Sequence, residues 1–198
     1  EEVVETLLKF KKVGKIDQFG FSEISPTSLD KANKVHHVAA VQSEYSLSTR
    51  FPELGLLQKT KKLQTAFIAF SPIGRGLLTD KPPTLKRVKE SPFLSVNPRF
   101  QEPNLRENIK ALKEFQNLAK DYGLSTAGLA IAWLLAKDKH IIPIPGTRST
   151  EHLKEMIKGA EKKLTQTDLT EIEKTIPVGW AHGDRYSDIQ WIGPEKYC

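Results

Sequence analysis

Cysteine is almost missing from this sequence: the one present is Cys198, the last residue. A single thiol excludes an internal disulfide and points to a reducing, cytoplasmic compartment. No apolar run approaches the roughly 18 residues that a membrane-spanning helix needs, so no membrane partner is expected. The opening stretch, EEVVETLLKFKK, is acidic and then amphipathic, unlike a secretory signal. His36, His37 and His140 flank strand-like stretches without metal-ligand spacing, so no metal is expected. Neither a Walker A pattern nor G-x-G-x-x-G occurs, which excludes ordinary triphosphate and Rossmann sites. Low-complexity segments and long linkers are lacking too, so residues 1–198 read as a single domain.

What is present is the composition of a folded protein, with 38% apolar and 27% charged residues. The net charge of +6 raises the question of nucleic acid. Its lysines are spread along helical stretches among Glu and Asp, with no basic stripe interleaved with aromatics, so no nucleic-acid partner is expected. A local site for a small anion explains the charge better.

Along the chain, short apolar strands alternate with helices. Helical periodicity covers residues 2–12, 26–35, 53–63, 104–123, 126–137, 150–159 and 168–175. Ser25 and Pro26 stand as N-cap and first helical residue, and Gly123 as a C-terminal stop. Strands are expected at 16–22, 38–45, 65–70 and 141–145. They are apolar throughout, so both sheet faces are expected to be buried. Residues 78–103 hold five prolines and read as a surface excursion. Four such units indicate an α/β fold, either an open doubly wound sheet or part of a (β/α) barrel.

In both architectures ligands sit at the carboxyl ends of the strands. Ser22 and Glu23 follow the first strand, and Gln42, Ser43 and Glu44 the second. After the third comes Ser71-Pro72-Ile73-Gly74-Arg75-Gly76, small enough for backbone amides to approach an anion, with Arg75 as a charged donor. After the fourth, Gly146-Thr147-Arg148-Ser149 precedes a helix whose first amides favour negative charge. Two anion-adapted loops in succession suggest a ligand with more than one phosphate. Each feature has a plainer reading. The glycines serve turns, Arg75 and Arg148 are solvated charges, Gln42 satisfies buried backbone, and Phe70 and Trp133 belong to the core.

The stretches GKIDQFGFSEIS, VAAVQSEYSLSTR, IAFSPIGRGLLT, LAIAWLLAK and IIPIPGTRSTEHLKE occur together in this order. Through them the chain resembles the aldo-keto reductase superfamily, most closely a bacterial, plant and fungal branch with SPLGRG-type and PIPGT-type loops. The late HGDRY is similar to fungal members. The resemblance implies a (β/α)8 TIM barrel that uses NADPH, less often NADH, to reduce an aldehyde or ketone. It implies that Ser22 and Gln42 bond the nicotinamide carboxamide, that Phe70 stacks on the ring, and that Ser71, Pro72, Ile73, Gly74, Arg75 and Gly76 cradle the pyrophosphate. Gly146, Thr147 and Arg148 would approach the 2′-phosphate, with His152 and Glu155 near the adenine. Two positions depart from the family pattern: Glu23 stands where many relatives carry Asn, and Met156 where Asn is frequent.

In that family the catalytic Asp, Tyr, Lys and His come from loops of the first four strands. None of these positions falls in this sequence, so no catalytic residue is assigned, and Tyr45, Tyr122, Tyr186 and Tyr197 lie outside the tyrosine's context. The chain is therefore expected to be the C-terminal half of the barrel, its last four β/α units, and to supply the cofactor-binding half. Its partners would be a small carbonyl substrate, among which a vitamin-B6 aldehyde fits fungal relatives, and either the N-terminal half-barrel or a second copy. The alternative is a non-catalytic NADP(H)-binding or interaction module.

Overall fold

The structure, a computed structural model, describes residues 2–196; Tyr197 and Cys198 lie outside the described residues. Four parallel strands form one sheet in the order β1 (Gly20–Ser22), β2 (Ala40–Glu44), β3 (Ala66–Phe70) and β4 (Ile141–Ile144). Spatial order equals chain order, so the sheet lacks the reversal that a doubly wound sheet requires. Of the two architectures left open by the sequence, this winding is that of a barrel.

Helices α1 (Glu2–Lys12), α2 (Pro26–Val35) and α3 (Leu56–Lys62) accompany the first strands. The Ser25 hydroxyl accepts from the Ser28 amide, as its N-cap reading requires. The expected helix at 53–63 is divided. Gly55, with φ 147°, separates a 3-10 turn at Phe51–Leu54 from α3, because that angle cannot continue a helix. The 78–103 excursion holds α4 (Leu85–Glu90) and two 3-10 turns rather than bare loop. Beyond it come α5 (Asn104–Asp121), α6 (Thr126–Lys137), α7 (Thr150–Glu161) and α8 (Gln166–Thr175).

Burial of both sheet faces, expected from the apolar strands, is not what the structure has. Val41, Ser43, Phe67, Ala69 and Ile141 point towards the helices and are buried. On the alternate positions Ser22 and Gln42 are exposed, and Ile142 and Ile144 are 48% and 44% exposed. Side chains alternate along a strand, so one helical layer covers one face and leaves the other bare. The core lies between sheet and helices, with Leu29, Leu56, Leu112, Phe115, Leu129 and Trp133 at its centre. Trp133 is core as expected, but its indole N–H donates to Glu173 at 3.1 Å.

Candidate dinucleotide site

Parallel register sets the bare face in rungs. Ser22 pairs with Gln42, Gln42 with Ile68, and Ile68 with Ile142. The next rung along that face is Glu44, Phe70 and Ile144. The register therefore brings Ser22 and Gln42 side by side and sets Phe70 one rung closer to the carboxyl ends. Below them Gly20, Phe21, Ala40 and Ile68 line, with Ser22 and Gln42, a shallow groove of about 250 Å³. Gly20 is required there, since a Cβ would run into the Ala40 carbonyl oxygen.

The loop after β3 is a tight turn. Ser71 and Arg75 carry left-handed backbone, φ 48° and 56°. The Gly74 amide donates to Ser71 O at 2.8 Å, that of Gly76 to Ile73 O, Leu77 to Gly74 O and Leu78 to Ile73 O. Ile73 and Arg75 are not among these donors. Gly74, φ 58°, is the point of closest approach, where a Cβ would stand 2.7 Å from the Ser48 hydroxyl.

The loop after β4 opens on the same end of the sheet. Gly146, Thr147 and Arg148 are exposed, and Ser149 caps α7 by accepting from the His152 amide. Glu151, in the first turn, accepts from Ser149 Oγ at 2.6 Å; that bond holds its carboxyl below the ordinary glutamate value. His152 is exposed and Glu155 half-buried. Met156, where an asparagine was noted as frequent, is buried against Ala127 and Ile131, and Ile73 packs on this cluster. Ile73 thus ties the turn after β3 to α6 and α7.

What sequence reasoning missed is a buried set of charges over the strand ends. Arg75 turns inward, its Nη2 2.5 Å from Glu44 Oε2 and its Nη1 donating to the Arg185 carbonyl at 3.0 Å. Arg185 Nη1 lies 2.8 Å from Glu23 Oε2 and 3.4 Å from Glu44 Oε2. Thr49 Oγ1 donates to Glu44 Oε1 at 3.0 Å and accepts from Arg99 Nη1 at 2.8 Å. Burial raises the Glu23 carboxyl above its usual range against the pull of Arg185, and lowers Arg99 to about 10. Glu23, flagged as a departure, also has left-handed backbone, φ 53°. The signal was legible in part. Two acids at the ends of apolar strands need cationic partners once buried, and HGDRY offers one.

Residues 177–196 bring that partner as a strap across the strand ends. Trp180 Nε1 donates to Leu47 O at 2.8 Å, and Asn108 exchanges two hydrogen bonds with the His182 backbone. Further on, Glu195 accepts from the Ser25 amide and the Ser28 hydroxyl at 3.1 and 2.9 Å. Tyr45 and Tyr122 are held by carboxylates. Tyr45 OH donates to Glu53 at 2.7 Å and Tyr122 OH to Asp168 at 2.7 Å. Burial first, then those carboxylates, raise both phenols above their usual value.

Comparison with known proteins follows from this geometry. The chain is 36% identical over 186 residues to "Probable aldo-keto reductase 1" of Glycine max, covering 94% of this chain and 54% of that one. It is 31% identical to "Aldo-keto reductase yakc [NADP(+)]" of Schizosaccharomyces pombe, covering 94% and 56%. The chain thus spans about half the length of these relatives. Among solved structures, the glycerol dehydrogenase of Gluconobacter oxydans superposes with TM-score 0.73 at 25% identity, covering 87% of this chain and 52% of that one. A thermostable aldo-keto reductase bound to epalrestat gives 0.66 at 23% identity, covering 87% and 53%, and supports the fold alone. The family model described as "Aldo/keto reductase family" matches residues 1–177, and the chain belongs to that family.

Proposed function

We propose that this chain is the dinucleotide-binding half of an NADP-dependent aldo-keto reductase barrel that reduces an aldehyde or ketone to an alcohol. The observation that carries the reading is the rung that places Ser22 beside Gln42, with Phe70 one rung above and the Ser71–Gly76 turn at its end. NADPH, when bound, supplies hydride to a carbonyl carbon. Ser22 and Gln42 hold the carboxamide, and Phe70 covers the ring. Ile73 and Arg75 offer main-chain amides to the pyrophosphate. Arg148, with Gly146 and Thr147, receives the 2′-phosphate, and His152 and Glu155 flank the adenine. A groove with the Ser22 and Gln42 side chains at one end and two polar loops at the other fits a ligand with a planar amide at one end and phosphates at the other.

The bare sheet face and its two open edge strands support a barrel completed by a further half, belonging to the same protein, to a separate chain or to a second copy. The branch with SPLGRG-type loops is supported by the turn geometry at Gly74, and a vitamin-B6 aldehyde is the substrate we would assay first. The second reading, a non-catalytic NADP(H)-binding module, is favoured by the tyrosines, since the Tyr45 and Tyr122 hydroxyls are bound to carboxylates. Calorimetric titration of the folded chain tests both. NADPH binding that weakens on Gln42→Ala, and that falls towards the NADH value on Arg148→Ala, is expected. A folded chain that ignores millimolar NADPH sinks the proposal. Carbonyl reduction by the chain alone, free of contaminating reductase, would show that catalysis does not need a second half.

A further inference from the structure

We propose that Glu44 is a positioning residue for the pyrophosphate turn. It anchors Arg75 inward so that the left-handed backbone at this residue, and with it the turn's main-chain donors, is held ready for the dinucleotide. This inference rests on the proposed function for its ligand. The alternative it opposes is that Arg75 swings out to meet phosphate directly.

The surroundings of Arg75 decide between the two. Its guanidinium lies 4.8 Å from the Phe93 ring and 4.9 Å from the Tyr186 ring, in the corner where these two rings, one from the excursion and one from the strap, meet edge to face. Glu44 holds it from a third side at 2.5 Å, and the Arg185 carbonyl accepts a second hydrogen bond from it at 3.0 Å. Asn97 Nδ2 donates to that same carbonyl, fixing the strap at this point. Withdrawing Arg75 would leave Glu44, 1% exposed, with Arg185 at 3.4 Å and the Thr49 hydroxyl as its side-chain partners. Stripping a buried carboxylate of its closest cation is strongly unfavourable, whereas a solvated phosphate at the surface offers a screened contact in return. Two ring faces would be lost as well. Arg75 therefore stays, and its contribution to the ligand passes through its backbone.

The same cluster carries the strain that needs holding. Glu23, Ser71 and Arg75 are three of the four non-glycine residues with left-handed backbone among the described residues. Such angles persist where surrounding contacts over-determine them. Glu44 supplies those contacts twice, through its carboxylate to Arg75 and through its amide to Glu23 Oε1 at 3.1 Å.

Glu44→Gln separates the two roles by sign. If Glu44 competes with phosphate for Arg75, the variant frees the arginine and binds NADPH more tightly. If Glu44 positions the turn, the NADPH Kd rises on the order of tenfold, the size of a coupling between contacting residues. The Kd for 2′-AMP, which lacks the pyrophosphate, should stay within about twofold of wild type. Tighter or unchanged NADPH binding, or equal weakening of 2′-AMP, overturns the proposal. Phe93→Leu, which removes one of the two rings around Arg75 without stranding a buried charge, should weaken NADPH by roughly threefold and keeps the test alive should Glu44→Gln unfold. Hydrogen exchange provides a readout independent of ligand: the amides of 74–78 and 185–187 should exchange faster in either variant than the rest of the chain. No NADPH binding by the wild-type chain, with this local loosening still seen in Glu44→Gln, would sink the proposed function and leave Glu44's anchoring role standing. Unchanged exchange at those amides would sink the anchoring role itself.

Discussion

Glu23 and Asp138 show how a single carboxylate is read differently by burial. Asp138, before β4, receives the Lys61 ammonium at 2.6 Å and the His140 ring at 3.0 Å, and these hold its carboxyl well below the ordinary aspartate value of 3.8. A depressed folded value stabilises the native state above the unfolded value, and the contribution fades as pH falls through the folded one. Lys61 is exposed, so about 0.5–1 kcal/mol is at stake. We expect Asp138→Asn to lose that much in urea unfolding at pH 6, and the difference from wild type to shrink as pH falls below the unfolded value and through the folded one. A difference that survives at low pH would assign the effect to packing. Glu23 runs the other way. Its carboxyl is raised, chiefly by burial, so it favours folding below the usual glutamate value of 4.5 and loses that contribution as pH rises through the folded value. At this scale the sequence was legible where chemistry is local. Ser25 was placed as a cap from its neighbours alone, whereas nothing near Arg75 in sequence reveals that it pairs with Glu44.

Helices α6 and α7 meet closely, and a glycine on each, Gly128 and Gly159, permits it. A Cβ at Gly159 would overlap the backbone of Gly128, so the two helices touch main chain to main chain. Gly159→Ala is expected to lower stability by about 1–3 kcal/mol, while Lys154→Ala on the exposed side of α7 stays within about 0.5 kcal/mol. Equal midpoints in thermal unfolding would show that α7 shifts freely. This contact matters for the candidate site, because α7 carries Met156 and through it Ile73 of the turn after β3. The apolar face of α5 followed from periodicity at Leu105, Leu112, Phe115 and Ala119, which are buried, but not at Ile109, which is 38% exposed while Asn108 is buried. The division of 51–62 at Gly55 was hidden, because its leucines keep helical spacing across a residue that cannot be helical.

Across the whole molecule, the unfinished side is the sheet face with Ile142 and Ile144 and the exposed end strands β1 and β4. Apolar surface and unpaired strand edges drive association in water. The chain is expected to sediment at micromolar concentration as a dimer or larger, and Ile142→Lys should shift it towards monomer. A wild-type monomer with cooperative unfolding would mean that the bare face is stable in water as it stands.

The sequence by itself determined the α/β class, the four strands, the order of the helices and the strand-end position of Ser22, Phe70 and both loops; Gln42, expected after the second strand, sits in the middle of β2. These depend on side-chain period and capping, which act over a few residues. Tertiary structure alone decided which sheet face is covered, how the 177–196 strap crosses the strand ends, and that Arg75 serves Glu44. Each of those joins residues far apart in the chain, and the cost of leaving a buried charge unpaired, which no local pattern records, selects the partner.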